Sequence, residues 1–226
     1  MANTNKNVKE PLTYSLEEGI KKLKELCQEK QRKFVESVDI AVKLGIDPKQ
    51  SNQAVKNSVI LPAGSGKEVK VIVFTADDAI AKSAIDAGAS LAGLDDLVTK
   101  IEGGFLDFDC CVATPDVMQK ISKIAKKLGP RGLMPSPKNG TVTKDINKAV
   151  TDALKGKVNF KNDKSGIVHC LAGKINFEIK DLLSNIKSLT KAIKDAKPEG
   201  AKGKYIKDFY INSTMGKAIK INPESL

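Results

Sequence analysis

Apolar residues recur at Leu16, Ile20, Leu23 and Cys27, three or four positions apart within the charged segment Leu12–Lys33, and this spacing predicts an amphipathic helix. The period then changes. Phe34, Val38, Ile40 and Val42 fall on even positions while Glu36 interrupts the apolar face, and Ser37 and Asp39 lie between, which predicts a half-exposed strand ended by Gly45 and Pro48. Toward the other end, Leu182–Ala196 repeats the helical pattern and Tyr205–Asn212 the strand pattern. Two helices and several antiparallel strands drawn from both ends indicate an α+β layer. The middle of the chain alternates differently. VKVIVF at Val69–Phe74 is a continuous apolar run, the pattern of a buried strand, and the helical DDAIAKSAIDAG follows it. LDDLVTKIEGG predicts a further helix, FDCCVAT a strand, and Pro115–Asp116 open another helix. This βαβα order predicts a parallel sheet flanked by helices, a small Rossmann-like α/β fold.

Charge divides the chain along the same lines. The 226 residues carry 38 Lys and Arg against 27 Asp and Glu, a net charge of +11, which suits a polyanionic partner. Residues 67–157 hold 14 basic and 12 acidic residues, whereas the two flanks together hold 24 and 15. If the ends fold together, a basic domain is interrupted by a nearly neutral one. A hydrophobic content of 41% supports a core, while 4% aromatic residues and no Trp argue against a broad base-stacking platform. Phosphate contacts and shape are expected to dominate recognition. The first residues, MANTNKNVKEPLTYS, are polar and lack an apolar signal core, and no apolar stretch is long enough to span a bilayer. Cys27, Cys110, Cys111 and Cys170 include no CxxC pair, so free thiols in a reducing cytosol are expected, with no metal site.

Catalytic constellations fail when tested residue by residue. GSGK at Gly64–Lys67 resembles the end of a phosphate-binding loop, but Leu61 stands where that loop needs Gly, and Glu68 where it needs Ser or Thr. It also precedes a strand when it should follow one. His169 is the only histidine and no GxSxG accompanies it. Asp77–Asp78 and Asp95–Asp96 fall at helix openings, where carboxylates complement the helix dipole. The alternating geometry of a strand points Cys110 and Cys111 to opposite faces as packing residues. No enzyme and no cofactor are expected. The competing possibility is a Rossmann-like small-molecule enzyme with an incidental basic surface.

The most distinctive segment is LGPRGLMPSPKNGTVT at Leu128–Thr143. Pro130, Pro135 and Pro137 fix φ and remove donors, and Gly129, Gly132 and Gly140 permit tight turns, so a rigid irregular loop is predicted between two helices. Arg131, Met134 and Lys138 complete the candidate residues of this loop. The run resembles the signature of the large-subunit ribosomal protein one family, the "L-one" stalk proteins, in its bacterial form. RKFVESVDIAVKLGIDPKQSNQ at Arg32–Gln53, LPAGSGK at Leu61–Lys67, ATPDVM at Ala113–Met118, NDKSGIVH at Asn162–His169 and STMG at Ser213–Gly216 resemble that family in the same order.

The resemblance implies two domains. One is a split α+β domain at residues 1–66 and 158–226, and the other an inserted Rossmann-like α/β domain at 67–157. It also implies an RNA-binding face on the split domain, formed by Lys33, Phe34, Glu36 and Ser37 with Ser213, Thr214, Met215 and Gly216. Lys164 and Ser165 form a further contact region, and His169, at the end of the same segment, is also expected to bind RNA. Taken alone, each reads first as structure: Phe34 as core, Met215 as a gap filler, STMG as a turn. The implied function is a structural constituent of the large subunit that binds the mobile rRNA stalk near the tRNA exit site, assists release of deacylated tRNA and represses translation of its own operon messenger RNA. The implied location is the cytoplasmic ribosome, with a monomer off it and no membrane partner. The chain departs from the family pattern in two places. Lys217 follows Gly216 where Pro is usual, and Lys56–Asn57 stand where Arg-Gly is frequent, which loses a bidentate fork.

Overall fold

Strand β2 (Ser37–Leu44) takes partners from the far end of the chain on both of its edges. On one side β8 (Ile167–Lys174) runs antiparallel, with Ser37 opposite Lys174 and Lys43 opposite Ile167. On the other, β9 (Ile206–Ser213) runs antiparallel with Val38 opposite Ser213. β10 (Ile219–Ile221) pairs next, and β1 (Thr13–Tyr14) lies parallel to it, giving the order β1-β10-β9-β2-β8. The computed structural model describes residues 13–29, 32–48, 50–137, 140–201 and 203–225. It divides the chain into two compact units, Met1–Val55 with Lys161–Leu226, and Lys56–Phe160.

In the first unit, helices α1 (Leu16–Glu29) and α7 (Ile179–Asp195) cover one face of the sheet. Ser15 and Glu18 open α1 reciprocally: the Ser15 backbone N–H donates to the Glu18 carboxylate at 3.2 Å and Ser15 Oγ accepts from Glu18 N at 3.4 Å. Leu16, Ile20 and Leu23 of α1, and Leu182, Ile186, Leu189 and Ile193 of α7, are buried with Val38, Ile40, Val42, Phe209 and Ile211. Each such side chain contributes about 1.5–3 kcal/mol by leaving water. The opposite face stays accessible at Asp39, His169, Tyr210 and Asn212.

One buried polar residue on α7 has a specific task. Pairing shifts between Val38 and Asp39, so Ala172 of β8 is an extra, bulged residue. Its carbonyl accepts a 2.8 Å hydrogen bond from Asn185 Nδ2, and Asn185 is fully buried. The next residue, Gly173, has φ +154°, and a Cβ there would press on Phe177 and Leu182. Helix, bulge and glycine therefore fit as one joint.

The second unit is built on the parallel sheet β5-β4-β6: β4 (Val71–Phe74), β5 (Leu91–Gly93) and β6 (Cys110–Ala113). All four residues of β4 are buried, as expected for a strand covered on both faces. Ile72 and Phe74 pack with α3 (Asp95–Glu102) and the segment 117–128; Val71 and Val73 pack with α2 (Asp78–Asp86) and α6 (Ile146–Leu154). Cys111 serves the first of these clusters and Cys110 borders the second. Asp77 caps α2 by accepting from Ala79 N at 2.9 Å.

Two sequence expectations are modified here. The helix expected from Pro115 is a relay of 3₁₀ turns with the short α-helical pieces α4 (Met118–Ile121) and α5 (Ala125–Leu128). Ser122 Oγ donates to the Met118 carbonyl at 2.9 Å, a local bond that competes with regular helix hydrogen bonding. The apolar stripe Val117, Ile121, Ile124, Leu128 is buried all the same. The second difference is in the boundaries, expected at 66/67 and 157/158. The compact units change at 55/56 and 160/161, because β3 (Lys56–Ile60) and β7 (Lys157–Lys161) pair before the chain reaches GSGK. Gly156, at φ +90°, lies so close to this crossing that a Cβ would stand 2.6 Å from Ser65 N.

Replacing Asn185 with Leu removes the donor from the bulged Ala172 carbonyl. Stability is expected to fall by about 1–3 kcal/mol in urea unfolding, the cost of one unsatisfied buried polar group.

Candidate nucleic-acid interface

At one end of β2 the chain enters the sheet through Arg32–Glu36, and beside it β9 leaves through Ser213–Gly216. Thr214 joins the two. Its backbone N–H donates to the Ser37 carbonyl at 3.1 Å, and its Oγ1 accepts from Ser37 N at 3.0 Å. Met215 N donates to Glu36 Oε2 at 3.0 Å. Glu36 is 5% exposed, so the residue that interrupts the apolar pattern is buried and paired instead of facing solvent. The Met215 backbone N–H and the Ser213 hydroxyl hold its carboxyl below the ordinary carboxylate pKa, with a smaller contribution from Arg32. A Cβ at Gly216 would stand 2.3 Å from Ser213 Oγ, so a larger residue there would displace the hydroxyl that serves Glu36.

This inner network turns other side chains outward. Phe34 is 53% exposed and Met215 60%, with Val35 also exposed. Phe34 is therefore not a core residue: β2 begins at Ser37, and the even-position pattern stops at Glu36. A groove of about 520 Å³ is lined by Phe34, Val35, Lys24, Gln28, Arg32, Lys33 and Asn176 among others. A second, of about 290 Å³, is lined by Arg32, Glu36, Ser213, Met215, Gly216 and Lys217 among others. Exposed apolar groups thus sit between cations, a surface that can pack against bases and sugars while neutralising phosphate.

The expected residues fall into separate places. Lys33, Phe34, Glu36, Ser37, Ser213, Thr214, Met215 and Gly216 come together, with Glu36 and Ser213 inside and the rest at or near the surface. Lys164 and Ser165 lie in the turn before β8, next to the opposite end of β2 and about 20 Å away at the usual strand rise. In that turn the Asp163 carboxylate accepts from Ser165 N and Ile167 N, both at 2.8 Å. The Ile167 bond is the largest cause of a lowered Asp163 pKa. His169 is on the open sheet face between these two places, exposed, 3.9 Å from Asp163. The signature loop belongs to the second unit. There Pro135 is buried, Met134 packs on the core, and Gly129, Pro130, Arg131, Gly132 and Pro137 are exposed. Lys138 lies outside the described residues. Sequence reading missed Lys174, whose Nζ donates to Ser37 Oγ at 2.9 Å, and the outward role of Arg32. Lys174 carries no motif and reaches Ser37 only through the β2–β8 register.

The sequence pattern of the Ribosomal protein L1p/L10e family matches residues 23–217, which includes both strand ends of this surface. The chain belongs to that family. It is 49% identical over 210 residues to the large ribosomal subunit protein uL1 of Coxiella burnetii, covering 93% of this chain and 89% of that one. It is 48% identical over 214 residues to the uL1 of Chlamydia caviae, covering 95% and 90%, and 49% identical over 220 residues to that of Bdellovibrio bacteriovorus, covering 97% and 92%. As an L1p/L10e family member it has a structural ribosomal role and is not an enzyme, which removes the small-molecule alternative. Among the described residues no helix is long and apolar enough to cross a membrane.

The folded-state pKa of Glu36 is depressed, so its stabilisation is complete above the ordinary value of 4.5 and disappears as pH falls through the lowered one. Glu36→Ala is expected to cost about 1–3 kcal/mol at neutral pH, and the gap to wild type should close on acidification. Chemical unfolding of both proteins between neutral and strongly acidic pH measures this.

Proposed function

We propose that this protein binds the mobile stalk of large-subunit rRNA near the tRNA exit site through the Phe34–Ser37 and Ser213–Gly216 surface. The exit-site tRNA and its own operon messenger RNA are its further partners: it assists release of deacylated tRNA and represses translation of the messenger by binding a stalk-like fold there. In this reading the first unit is a split α+β RNA-binding domain, and the second an inserted Rossmann-like α/β domain.

One observation carries the proposal. A buried carboxylate and a threonine hydroxyl fix two chain segments so that Phe34, Val35 and Met215 remain exposed beside Arg32, Lys33 and Lys217. Three exposed apolar side chains grouped on one hydrogen-bonded ledge among cations mark a candidate interaction surface. Charge supports RNA as that partner, since the first unit holds 23 basic and 15 acidic residues against 15 and 12 in the second. The deciding experiment compares a stalk rRNA fragment with an unrelated hairpin of equal length in a mobility-shift titration. Preference for the stalk supports the proposal, and equal binding refutes it.

Within that assay Met215→Ala should weaken stalk binding about tenfold or more while leaving stability and the salt dependence nearly unchanged, because an exposed uncharged side chain releases no counterions. Thr214→Val should lower stability as well as affinity, since the Thr214 hydroxyl already serves Ser37. Equal losses on stalk and hairpin RNA would remove Met215 from the recognition surface.

Lys33→Ala and Lys164→Ala test the two ends of β2 separately. Each should flatten the slope of log K against log salt by at most about 0.9 if it neutralises one phosphate. A flattened slope for Lys33 alone would confine the footprint to the Phe34 end.

A further inference from the structure

The near neutrality of the second unit conceals a strong internal sorting of charge. Residues 120–144 contain seven basic and no acidic residues, while the rest of Lys56–Phe160 holds eight basic and twelve acidic. Packing turns this run outward. Val117, Ile121, Ile124 and Leu128 are buried, which leaves Lys120, Lys123, Lys126 and Lys127 exposed on the other side of the same turns. Two of these have protein partners: Lys120 pairs with Asp95 at 3.2 Å, and Lys127 donates to the Glu102 carbonyl at the end of α3. Lys123, Lys126 and Arg131 are exposed, and no acidic side chain within the run neutralises them.

The signature loop gives this patch its rigidity. Leu133 N donates to the Leu128 carbonyl at 3.1 Å and Gly132 N to the Gly129 carbonyl at 3.0 Å, so Arg131 projects from a closed turn. Gly132 occupies φ +71°, which a side-chain-bearing residue resists. Farther along, Thr141 Oγ1 accepts from Ser136 N at 2.8 Å and Pro135 is buried, anchoring the loop to the core. A merely solvated loop needs neither the anchoring nor the exclusion of acidic residues.

We infer that Lys123, Lys126 and Arg131 form a second RNA-contacting surface, on the unit that the stalk-binding proposal does not use, and that its ligand is the phosphate backbone of double-helical RNA. Charge complementarity identifies the ligand class: exposed cations on an anchored turn, in a run that contains no aromatic residue, neutralise phosphates and read no bases. The inference rests on the RNA-binding reading of the protein but concerns different residues, so the two can fail separately.

The test uses the full chain carrying Lys123→Gln, Lys126→Gln and Arg131→Gln together. A second triple, Lys180→Gln, Lys187→Gln and Lys191→Gln on the exposed side of α7, loses the same charge from the first unit. Affinities for a 20-base-pair RNA duplex of arbitrary sequence (a probe of about that length) and for a stalk rRNA fragment are measured across salt concentrations, alongside thermal melts. The first triple is expected to bind the duplex at least about tenfold more weakly at low salt, with a slope reduced by about 2–3, while stalk-fragment binding and melting hold. The α7 triple should change duplex binding much less. Equal losses in the two triples would reduce the effect to net charge and overturn the inference, as would unchanged duplex binding in the first. Failure of the wild-type protein to prefer the stalk fragment would sink the stalk proposal and leave this comparison readable.

Discussion

Everything in the first unit depends on β2 finding partners on both edges from a part of the chain that follows the whole second unit. Val38, Ile40 and Val42 are buried between β8 and β9 and beneath two helices. No local sequence supplies those contacts, so closing the sheet incurs the loop-closure cost of the intervening chain. Pairing β3 with β7 reduces the freedom of that closure by bringing the outgoing and returning segments side by side. The bulge at Ala172 then has to be accommodated within the packed layer, and Asn185 does so from the helix above. A fully buried asparagine in an apolar helix face thus follows from an irregularity in the strand it covers.

The same architecture explains how an aromatic and a thioether group stay outside the core. Phe34 and Val35 stand beyond the first paired residue of β2, and Met215 beyond the last of β9. Glu36 holds the backbone at Met215 by accepting its amide from a nearly enclosed position, while Arg32 adds a favourable charge nearby. A buried carboxylate costs desolvation, and the hydrogen bonds to its charged form offset that cost. The charge therefore acts on geometry, and the exposed side chains beside it, Phe34, Val35 and Met215, are themselves neutral.

The second unit solves a different problem. A parallel strand covered on both faces needs two separate apolar clusters, and adjacent Cys110 and Cys111 contribute one side chain toward each. Burial pushes both thiols' pKa values upward, which suits packing and disfavours thiolate chemistry. The acidic residues at the openings of α2 and α3 complement helix ends, and the basic run lies along the segment 120–144. A balanced total charge here arises from opposite populations in different stretches of chain.

By itself the sequence determined the elements with a strong apolar pattern: α1, α7, the core of β2 and β9, which each present one apolar face, and the β4-to-β6 alternation, whose strands are continuous apolar runs. It also determined the family, through the loop at Leu128–Thr143 and the segments around Phe34 and Met215. Tertiary structure alone decided what the short or mixed segments do. Strands β5 and β10 carry too few residues to show a period, β3 is largely polar with no buried face, and the run from Pro115 keeps a helical stripe while its hydrogen bonds alternate between two turn types. Glu36 is the clearest case. In the sequence it is a charged residue breaking an apolar face, and its burial is set by the Met215 amide and Ser213 hydroxyl, groups far away along the chain. Lys174 reaches Ser37 for the same reason. Local propensity and periodicity are properties of neighbours in sequence, whereas the pairing of a buried charge is settled only when distant strands meet in register.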